Sequence, residues 1–221
     1  MVQCDPSLGV VVLQLVQFTL ASSQCSGDFL KIHDGPSSSS PPLFLSSCST
    51  PPVSASSPLV LYASSNQVYI KFTSDSYTNG AGYTIMYTCP YVTTITGSKG
   101  TLYDSGGGGG QYGLNENTLT RITCPMGQGP QLTFTELDID GTMPSCSTDS
   151  LKIIYGGEVK NTYCGTLTGP SLPQVSVGSS SALILFTSDS TITRGGYSLE
   201  YECVLITSGK ILHLVFGVLS L

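Results

Sequence analysis

The side chains of this sequence that could do chemistry are first of all its cysteines. Eight are present, and an even number favours disulfides and therefore an oxidising compartment. No close Cys-x-x-Cys pair occurs, which makes disulfides a better interpretation than zinc. Four cysteines allow three pairings, so spacing alone leaves the connectivity open. The cysteines form two sets with similar spacing: Cys4, Cys25, Cys48 and Cys89, then Cys124, Cys146, Cys164 and Cys203.

Side chains suited to catalysis are few. There are two histidines: His33 lies in an Ile-His-Asp-Gly stretch typical of a surface turn, and His213 lies near the C-terminus. The sequence has neither a His-Glu-x-x-His motif nor a Gly-x-Ser-x-Gly motif. Lys210 follows a glycine but lacks the upstream glycine of a phosphate-binding loop. We therefore do not expect an enzyme.

Composition excludes a further class of function. The 221 residues carry a net charge of -6, and only 10% of them are charged, against roughly 25% in an ordinary soluble domain. The few lysines and arginines cannot neutralise a row of phosphates. We therefore expect no nucleic-acid partner. The polar residues alternate with apolar ones, which argues against a disordered tract.

The elements that must position these residues come from an internal repeat. The motif FTSDS at residues 72–76 recurs unchanged at residues 186–190. GAGYTIMYTC at residues 80–89 matches RGGYSLEYEC at residues 194–203, and DFLKI at 28–32 matches DSLKI at 149–153. Two copies of one module, each with four cysteines, are predicted.

Each copy is predicted to be all-β. Apolar and polar residues alternate at residues 68–72, 131–137 and 197–201, and a period of two indicates strands with one buried face. Turn-forming pairs separate these runs, among them Asn79-Gly80 and Gly156-Gly157. No segment has helical spacing, and many short strands with frequent turns indicate a sandwich or a barrel.

The two copies resemble CUB domains, which are extracellular antiparallel β-sandwiches of jelly-roll type. The second copy has the family's motifs in order: a glycine- and tyrosine-rich lead at 97–112, LTFTELDID at 132–140, CSTDSLKI at 146–153, YCG at 163–165, and FTSD followed by GY at 186–197. The resemblance implies a module at residues 1–90, a second at 91–203, and an apolar tail at 204–221.

The resemblance also implies a disulfide pairing. Cys25 pairs with Cys48, and Cys146 pairs with Cys164, as in the family. The remaining cysteines then pair as Cys4 with Cys89 and Cys124 with Cys203, which joins the first and last strands of each module.

Some CUB domains hold one Ca²⁺ at the sandwich tip through three acidic side chains and a nearby tyrosine. By position these residues are Asp140, Asp149 and Asp189, with Tyr112 beside them. Asp140 replaces the family's usual glutamate and is one carbon shorter. The alternative is that these acids are solvated loop residues that also cap turns. In the first copy Leu20 and Ala21 occupy the region of the first acid, so no useful site is expected there.

Both ends of the sequence depart from the pattern. The apolar run at residues 10–20 contains Gln14 and Gln17 and has no basic lead, so it is interpreted as a strand and not as a secretion signal. Because the first copy has only three residues before Cys4, we expect that its opening strands, and any signal, lie upstream. The apolar residues 211–221 are too few to span about 30 Å of hydrocarbon, so membrane anchoring is not expected.

Three functions follow from the resemblance. The first is a non-enzymatic extracellular interaction or adhesion module that binds a protein or glycan through its loop tips. In the second copy that binding depends on Ca²⁺ and accepts a basic side chain of the ligand. The second is a pair of accessory domains that select substrate for a secreted protease or another enzyme. The third is a structural repeat of a cell surface. Neither the ligand nor the oligomeric state follows from the sequence.

Overall fold

The structure is a computed structural model that describes residues 1–20, 27–44, 53–76 and 80–206. Cys25, Cys48 and Ala21 lie outside these ranges, as does the tail from residue 207 onward. The pairing predicted for Cys25 and Cys48 therefore stays a prediction.

The chain is an all-β protein, as predicted, with strands that pair almost entirely in antiparallel fashion. Residues 2–88 form the first set of strands: β1 (Val2–Gln3), β2 (Val12–Thr19), β3 (Phe29–Asp34), β4 (Pro42–Phe44), β5 (Leu59–Tyr62), β6 (Gln67–Thr73) and β7 (Gly82–Thr88). Residues 93–205 form the second: β8 (Thr93–Ile95), β9 (Lys99–Tyr103), β10 (Asn117–Thr123), β11 (Gln128–Ile139), β12 (Ser150–Tyr155), β13 (Glu158–Tyr163), β14 (Gly165–Leu167), β15 (Gln174–Ser176), β16 (Ser181–Thr187) and β17 (Gly196–Leu205), with a short 3-10 helix at Gly169–Ser171.

The second unit is a sandwich of two sheets. One sheet has the strand order β13-β12-β16-β10-β8, and the other has the order β14-β11-β17-β9, with β15 also paired to β11. Alternate residues of these strands, including Leu132, Ile153, Phe186 and Leu199, are fully buried between the sheets. The period-two pattern of the sequence thus produces the core directly.

The described residues of the first unit repeat this plan with fewer strands. Its sheets have the orders β1-β6-β3-β4 and β5-β2-β7, and its core contains Leu13, Leu15, Leu30 and Ile32. The repeated motifs make β7 the counterpart of β17. Among the residues that the structure describes, β7 pairs with β2 alone, whereas β17 lies between β11 and β9.

Among the described residues, three disulfides tie the strands together. Cys4, after β1, bonds to Cys89 at the end of β7, and Cys124, after β10, bonds to Cys203 in β17. Cys146 bonds to Cys164 beside the start of β12. These three pairs are the ones that the family resemblance implies. On the chain-entropy model each contributes roughly 3–5 kcal/mol, more for the longer loops.

An apolar cluster joins the two units. Val10 and Val12 of the first unit pack in one cluster with Leu119, Ile154 and Leu183 of the second. The Tyr62 amide also donates a hydrogen bond to the Gly157 carbonyl across the junction, at 3.0 Å. A Cβ atom on Gly157 would lie 2.4 Å from Leu43 Cδ1, so glycine allows this close approach. The units therefore pack against each other directly. The predicted boundaries at residues 90 and 203 stay predictions.

No helix in the described part of the chain is long and apolar enough to cross a bilayer.

The repeat offers a matched test of the packing. Phe186 is fully buried, whereas its counterpart Phe72 is 44% exposed. We expect Phe186→Ala to lower the free energy of unfolding by about 3–5 kcal/mol, because it removes a fully packed ring. Phe72→Ala removes a ring that is already half in water, and we expect it to cost less than half as much. Urea denaturation of both variants measures the difference, and equal losses would contradict the burial described here.

Candidate functional site

Strand register brings the predicted site residues to one end of the second unit. Ser150 pairs with Thr187, so Asp149, just before β12, lies beside the segment that follows β16. Asp138 pairs with Gly196, so Asp140, just after β11, lies beside the segment that precedes β17. Both are the same loop, residues 188–195, and Asp189 lies in it. The ends of four strands thus form this tip of the sandwich, which we call the second-unit tip.

Tyr112 is the residue that connects the tip to the core. Its hydroxyl donates a hydrogen bond to Asp149 Oδ2 at 2.6 Å and accepts one from the Asp140 amide at 2.9 Å. Its ring is 2% exposed and packs edge-to-face on Phe186, with ring centroids 5.1 Å apart. The tyrosine therefore contacts two of the three predicted acids.

Asp149 is a fully buried carboxylate whose two oxygens are both hydrogen-bonded. Oδ2 accepts the Tyr112 hydroxyl, and Oδ1 accepts the Asp189 amide at 2.8 Å. An isolated buried charge is very costly, so these two donors are what make Asp149 tolerable in the interior. The same two bonds fix Tyr112 and the Asp189 backbone relative to each other.

Asp140 is paired with a cation of its own chain. Arg194 Nε donates to Asp140 Oδ1 at 3.1 Å, and Arg194 Nη1 lies 3.9 Å from Asp138 Oδ1. The hydrogen bond to Asp140 raises the pKa of Arg194, so the guanidinium stays charged. The side chain of Asp140 is 12% exposed, and that of Arg194 is 43% exposed. A guanidinium therefore lies at the tip on a largely buried carboxylate.

The carboxylate of Asp189 turns toward its own loop. Oδ1 accepts the Thr191 amide at 2.8 Å and the Thr191 hydroxyl at 2.7 Å. These hydrogen bonds, the one from the hydroxyl most of all, hold the pKa of Asp189 below its usual value. The backbone of Asp189 joins the Tyr112 network while its side chain caps a turn, as the alternative interpretation of the loop acids expects.

The three predicted acids are thus connected, but they do not form a metal-binding shell. Within residues 1–20, 27–44, 53–76 and 80–206, no group of three or more His, Cys, Asp or Glu side chains is placed to hold a metal ion. Asp149 is satisfied by protein donors, Asp140 by Arg194, and Asp189 by Thr191. The residue types fit Ca²⁺, which prefers oxygen ligands, but Oδ1 of Asp140 is engaged by Arg194 and Oδ1 of Asp189 by Thr191.

Arg194 and the acids that brace the glycine-rich loop were not singled out by the sequence argument. Asp104 Oδ2 accepts the Tyr197 amide at 2.6 Å, and Oδ1 accepts the Gly106 amide at 2.8 Å. Burial raises the pKa of Asp104. Glu116 Oε1 bonds to the Ser105 hydroxyl and the Gly113 amide. The loop at residues 106–110 is thereby braced on both sides. The Asp-Ser-Gly turn at 104–106 was the available signal.

The first unit retains only part of this arrangement. Asp28 is 4% exposed and its Oδ1 accepts the Asp75 amide at 2.9 Å, as Asp149 accepts the Asp189 amide. Gly80 occupies the position of Arg194. The prediction that this unit has no useful ion site stays a prediction.

The buried Tyr112 has a consequence at alkaline pH. Burial, and then the bond to Asp149, raise its pKa well above the ordinary value, which is about 10 in an unfolded chain. Above pH 10 the unfolded state therefore holds fewer protons, and stability falls as pH rises, by up to about 1.4 kcal/mol per pH unit for each such group. We expect Tyr112→Phe to flatten this fall between pH 9 and 11, measured by urea denaturation.

The control for this experiment is Tyr103→Phe, because Tyr103 is 43% exposed. That variant should keep the wild-type slope. Parallel profiles for all three proteins would contradict a buried, protonated Tyr112.

Comparisons with known proteins agree with this architecture. A family model described as the CUB domain matches residues 2–87 and 89–201. The chain is 31% identical over 199 residues to embryonic protein UVS.2 of Xenopus laevis, covering 89% of this chain and 37% of that protein. It is 34% identical over 158 residues to cubilin of Canis lupus familiaris, covering 66% of this chain and 4% of that protein.

Among solved structures, the MASP-1 CUB2 domain bound to Ca²⁺ matches with a TM-score of 0.45 and 26% identity, over 50% of this chain and 96% of that one. A TM-score of this size does not transfer the position of an ion. This chain spans well under half the length of the two curated relatives, 37% and 4%. Two consecutive matches to the same family model cover most of this chain. The protein therefore belongs to the CUB domain family.

Proposed function

We propose that this pair of CUB domains is a non-enzymatic extracellular interaction module whose second-unit tip binds a basic side chain of a protein ligand. The observation that carries the proposal is the ion pair between Arg194 and Asp140, at 3.1 Å. The disulfides support an oxidising compartment outside the cytosol.

The Arg194 ion pair supports the proposal because it shows, inside the chain, the kind of contact that a basic side chain of a ligand would make with Asp140. Asp138 and Asp140 present carboxylate oxygens to one guanidinium. Asp140 is held in place by its backbone bond to the Tyr112 hydroxyl, so its position does not depend on the cation. A lysine or arginine of a ligand would form the same charge-assisted hydrogen bond if it displaced Arg194.

Calcium is the second part of the proposal. Asp140, Asp149 and Asp189 would hold the ion, with Tyr112 beside them. Bound there, Ca²⁺ would order the tip loops and compensate the charge of the three carboxylates. Asp140 would leave Arg194, and Asp189 would turn from Thr191 toward the ion. Arg194 and Ca²⁺ then compete for the same carboxylate.

The calcium proposal predicts a change in thermal stability. We expect millimolar Ca²⁺ to raise the melting temperature of the chain, because an ion bound only by the folded state stabilises it. Asp189→Asn should abolish the rise, since it removes one charged ligand. Calorimetry with calcium and with EDTA measures the effect.

The repeat supplies the control, because Asp75→Asn changes the same FTSDS motif in the first unit. That variant should keep the calcium response. Melting curves that do not change with calcium in the wild-type chain would remove the ion from the proposal.

The ligand proposal is tested with a small probe. We expect N-acetyl-lysine amide to shift the backbone NMR signals of Asp140, Asp149 and Asp189 in the presence of Ca²⁺. N-acetyl-norleucine amide, which lacks the charge, should not. Without Ca²⁺, when Arg194 is paired with Asp140, Arg194→Ala should bind the lysine probe several-fold more tightly, because the internal cation no longer competes.

The control here is Lys160→Ala, which also removes one positive charge. Lys160 is paired with Glu158, away from the tip. It should match the wild-type chain. Equal shifts with both probes, or no gain in Arg194→Ala, would contradict the proposal.

A further inference from the structure

A cavity lies where the two units meet, and we call it the junction cavity. It has a volume of about 270 Å³, is partly open to solvent, and lies beside the start of β4 and the end of β5. Asp34, Tyr62 and Ser64 line it from the first unit, and Ser180 and Leu183 line it from the second. Boundaries between domains are frequent places for small-molecule sites.

The junction cavity lies away from the strands that are expected upstream of the first unit. In the first unit β4 and β5 are edge strands of their sheets, and β1 and β7 are the opposite edges. In the second unit β8 pairs with β10, and β9 pairs with β17. By the repeat, the corresponding upstream strands would pair with β1 and β7. The walls of the cavity therefore do not depend on them.

Backbone hydrogen bonds hold these walls in place. The Tyr62 amide donates to the Gly157 carbonyl across the junction at 3.0 Å, and the Cys124 amide donates to the Ser180 carbonyl at 2.8 Å. A Cβ atom on Gly156 would have no atom other than its chain neighbours within 4 Å, so this turn leaves the cavity open. The cavity is thus formed before any ligand binds, as small-molecule sites usually are.

One wall of the junction cavity is apolar. Ile154 and Leu183 line it and belong to the buried cluster that joins the units. Tyr62 packs against the same cluster, and burial raises the pKa of its hydroxyl, which therefore stays protonated. This wall offers apolar surface to a flat ring.

The other wall is polar and has hydrogen-bonding groups to spare. Asp34 Oδ1 accepts the Ser64 amide at 2.8 Å, whereas Oδ2 accepts no hydrogen bond from the described residues. The hydroxyls of Ser64 and Ser180 are exposed and also have no partner in the described part of the chain. One carboxylate oxygen and two hydroxyls are therefore available to a ligand.

The charges around the cavity favour a neutral ligand. Asp34 is the one charged residue among the described residues that line it. Arg121 lies opposite Leu183 on β10, and its Nη2 donates to the Gly9 carbonyl of the first unit at 3.5 Å. Burial lowers the pKa of Arg121, and the charge of Asp34 partly offsets this. The two opposite charges thus lie near each other and leave little net charge.

We propose that the junction cavity binds one neutral sugar ring, the terminal residue of a glycan. A sugar ring has an apolar C–H face, which would pack on Tyr62 and Leu183. Its hydroxyls would donate to Asp34 Oδ2, a charge-assisted bond, and exchange hydrogen bonds with Ser64 and Ser180. Sites for drug-sized ligands have about 300–1,000 Å³, so a cavity of about 270 Å³ suits a single ring. This site shares no residue with the second-unit tip.

The test titrates four methyl glycosides, those of mannose, galactose, fucose and N-acetylglucosamine, into the full chain. Two-dimensional NMR of the ¹⁵N-labelled protein is the readout. We expect at least one glycoside to shift the backbone signals of Ser64, Gly156 and Ser180 saturably at millimolar concentration. The signals of Asp140 and Asp189 at the second-unit tip should not move, which separates this result from the outcome of the tip proposal.

Two variants, one in each unit, change the cavity in different ways. Asp34→Asn keeps an acceptor for the Ser64 amide but removes the charge, so we expect several-fold weaker binding. Ser180→Leu fills the cavity from the other side and should abolish binding. Glu158→Gln is the control, because it removes an exposed carboxylate that does not line the cavity, and it should match the wild-type chain. Melting curves verify that each variant is folded.

Three outcomes would overturn the proposal. The first is that none of the four glycosides gives a saturable shift. The second is equal affinity of one glycoside for the wild-type chain, Asp34→Asn and Ser180→Leu. The third is that acetate or methylammonium shifts the cavity signals while the sugars do not, because Arg121 or Asp34 then defines a site for a small ion.

Discussion

The tip of the second unit depends on the burial of one carboxylate. Asp149 has no exposed surface, and a charge in that position is tolerated only with full hydrogen bonding. The Tyr112 hydroxyl and the Asp189 amide supply the two bonds. Because the tyrosine ring packs on Phe186, the geometry of the loops follows from the geometry of the core. A polar network of this kind is rigid while every member is satisfied.

The two units share one sequence pattern but differ in how fully their core-facing side chains are buried. The FTSDS and Gly-Tyr motifs place the same residues on β6 and β16 and on β7 and β17. The carboxylate and amide pair is also present in both units, as Asp28 with Asp75 and Asp149 with Asp189. Among the described residues, what differs is the segment from β9 to Tyr112, which supplies both a strand and a ring. Packing quality is therefore a property of neighbouring strands and not of the motif alone.

Much of this was predictable from the sequence. The repeat, the period-two strands and the family motifs gave the fold class, and strand order brings Asp140, Asp149 and Asp189 to one end because they adjoin the ends of paired strands. The sequence did not predict Arg194 on Asp140, because the path of the loop between β16 and β17 decides that contact. It also did not predict the contacts of Glu116 with Ser105 and Gly113 beside the glycine loop, since none of these residues belongs to a periodic segment.

The junction between the units was hidden for a different reason. Leu119 and Leu183 lie on the face of their sheet away from the second-unit core. The apolar run ALILF at residues 182–186 fits a strand that is buried on both faces, but it does not say what covers the outer face. Only the structure identifies the first unit as what covers this face.

That junction has a consequence for how the two units are oriented. Val10, Val12, Leu119, Ile154 and Leu183 form one buried cluster, so the position of the second-unit tip relative to the first unit is set by packing and not by a flexible linker. A ligand that contacted the tip and the first unit together would make its second contact at an effective concentration fixed by this geometry, with little chain entropy lost. A ligand of the wrong span would gain nothing from the second unit's neighbour.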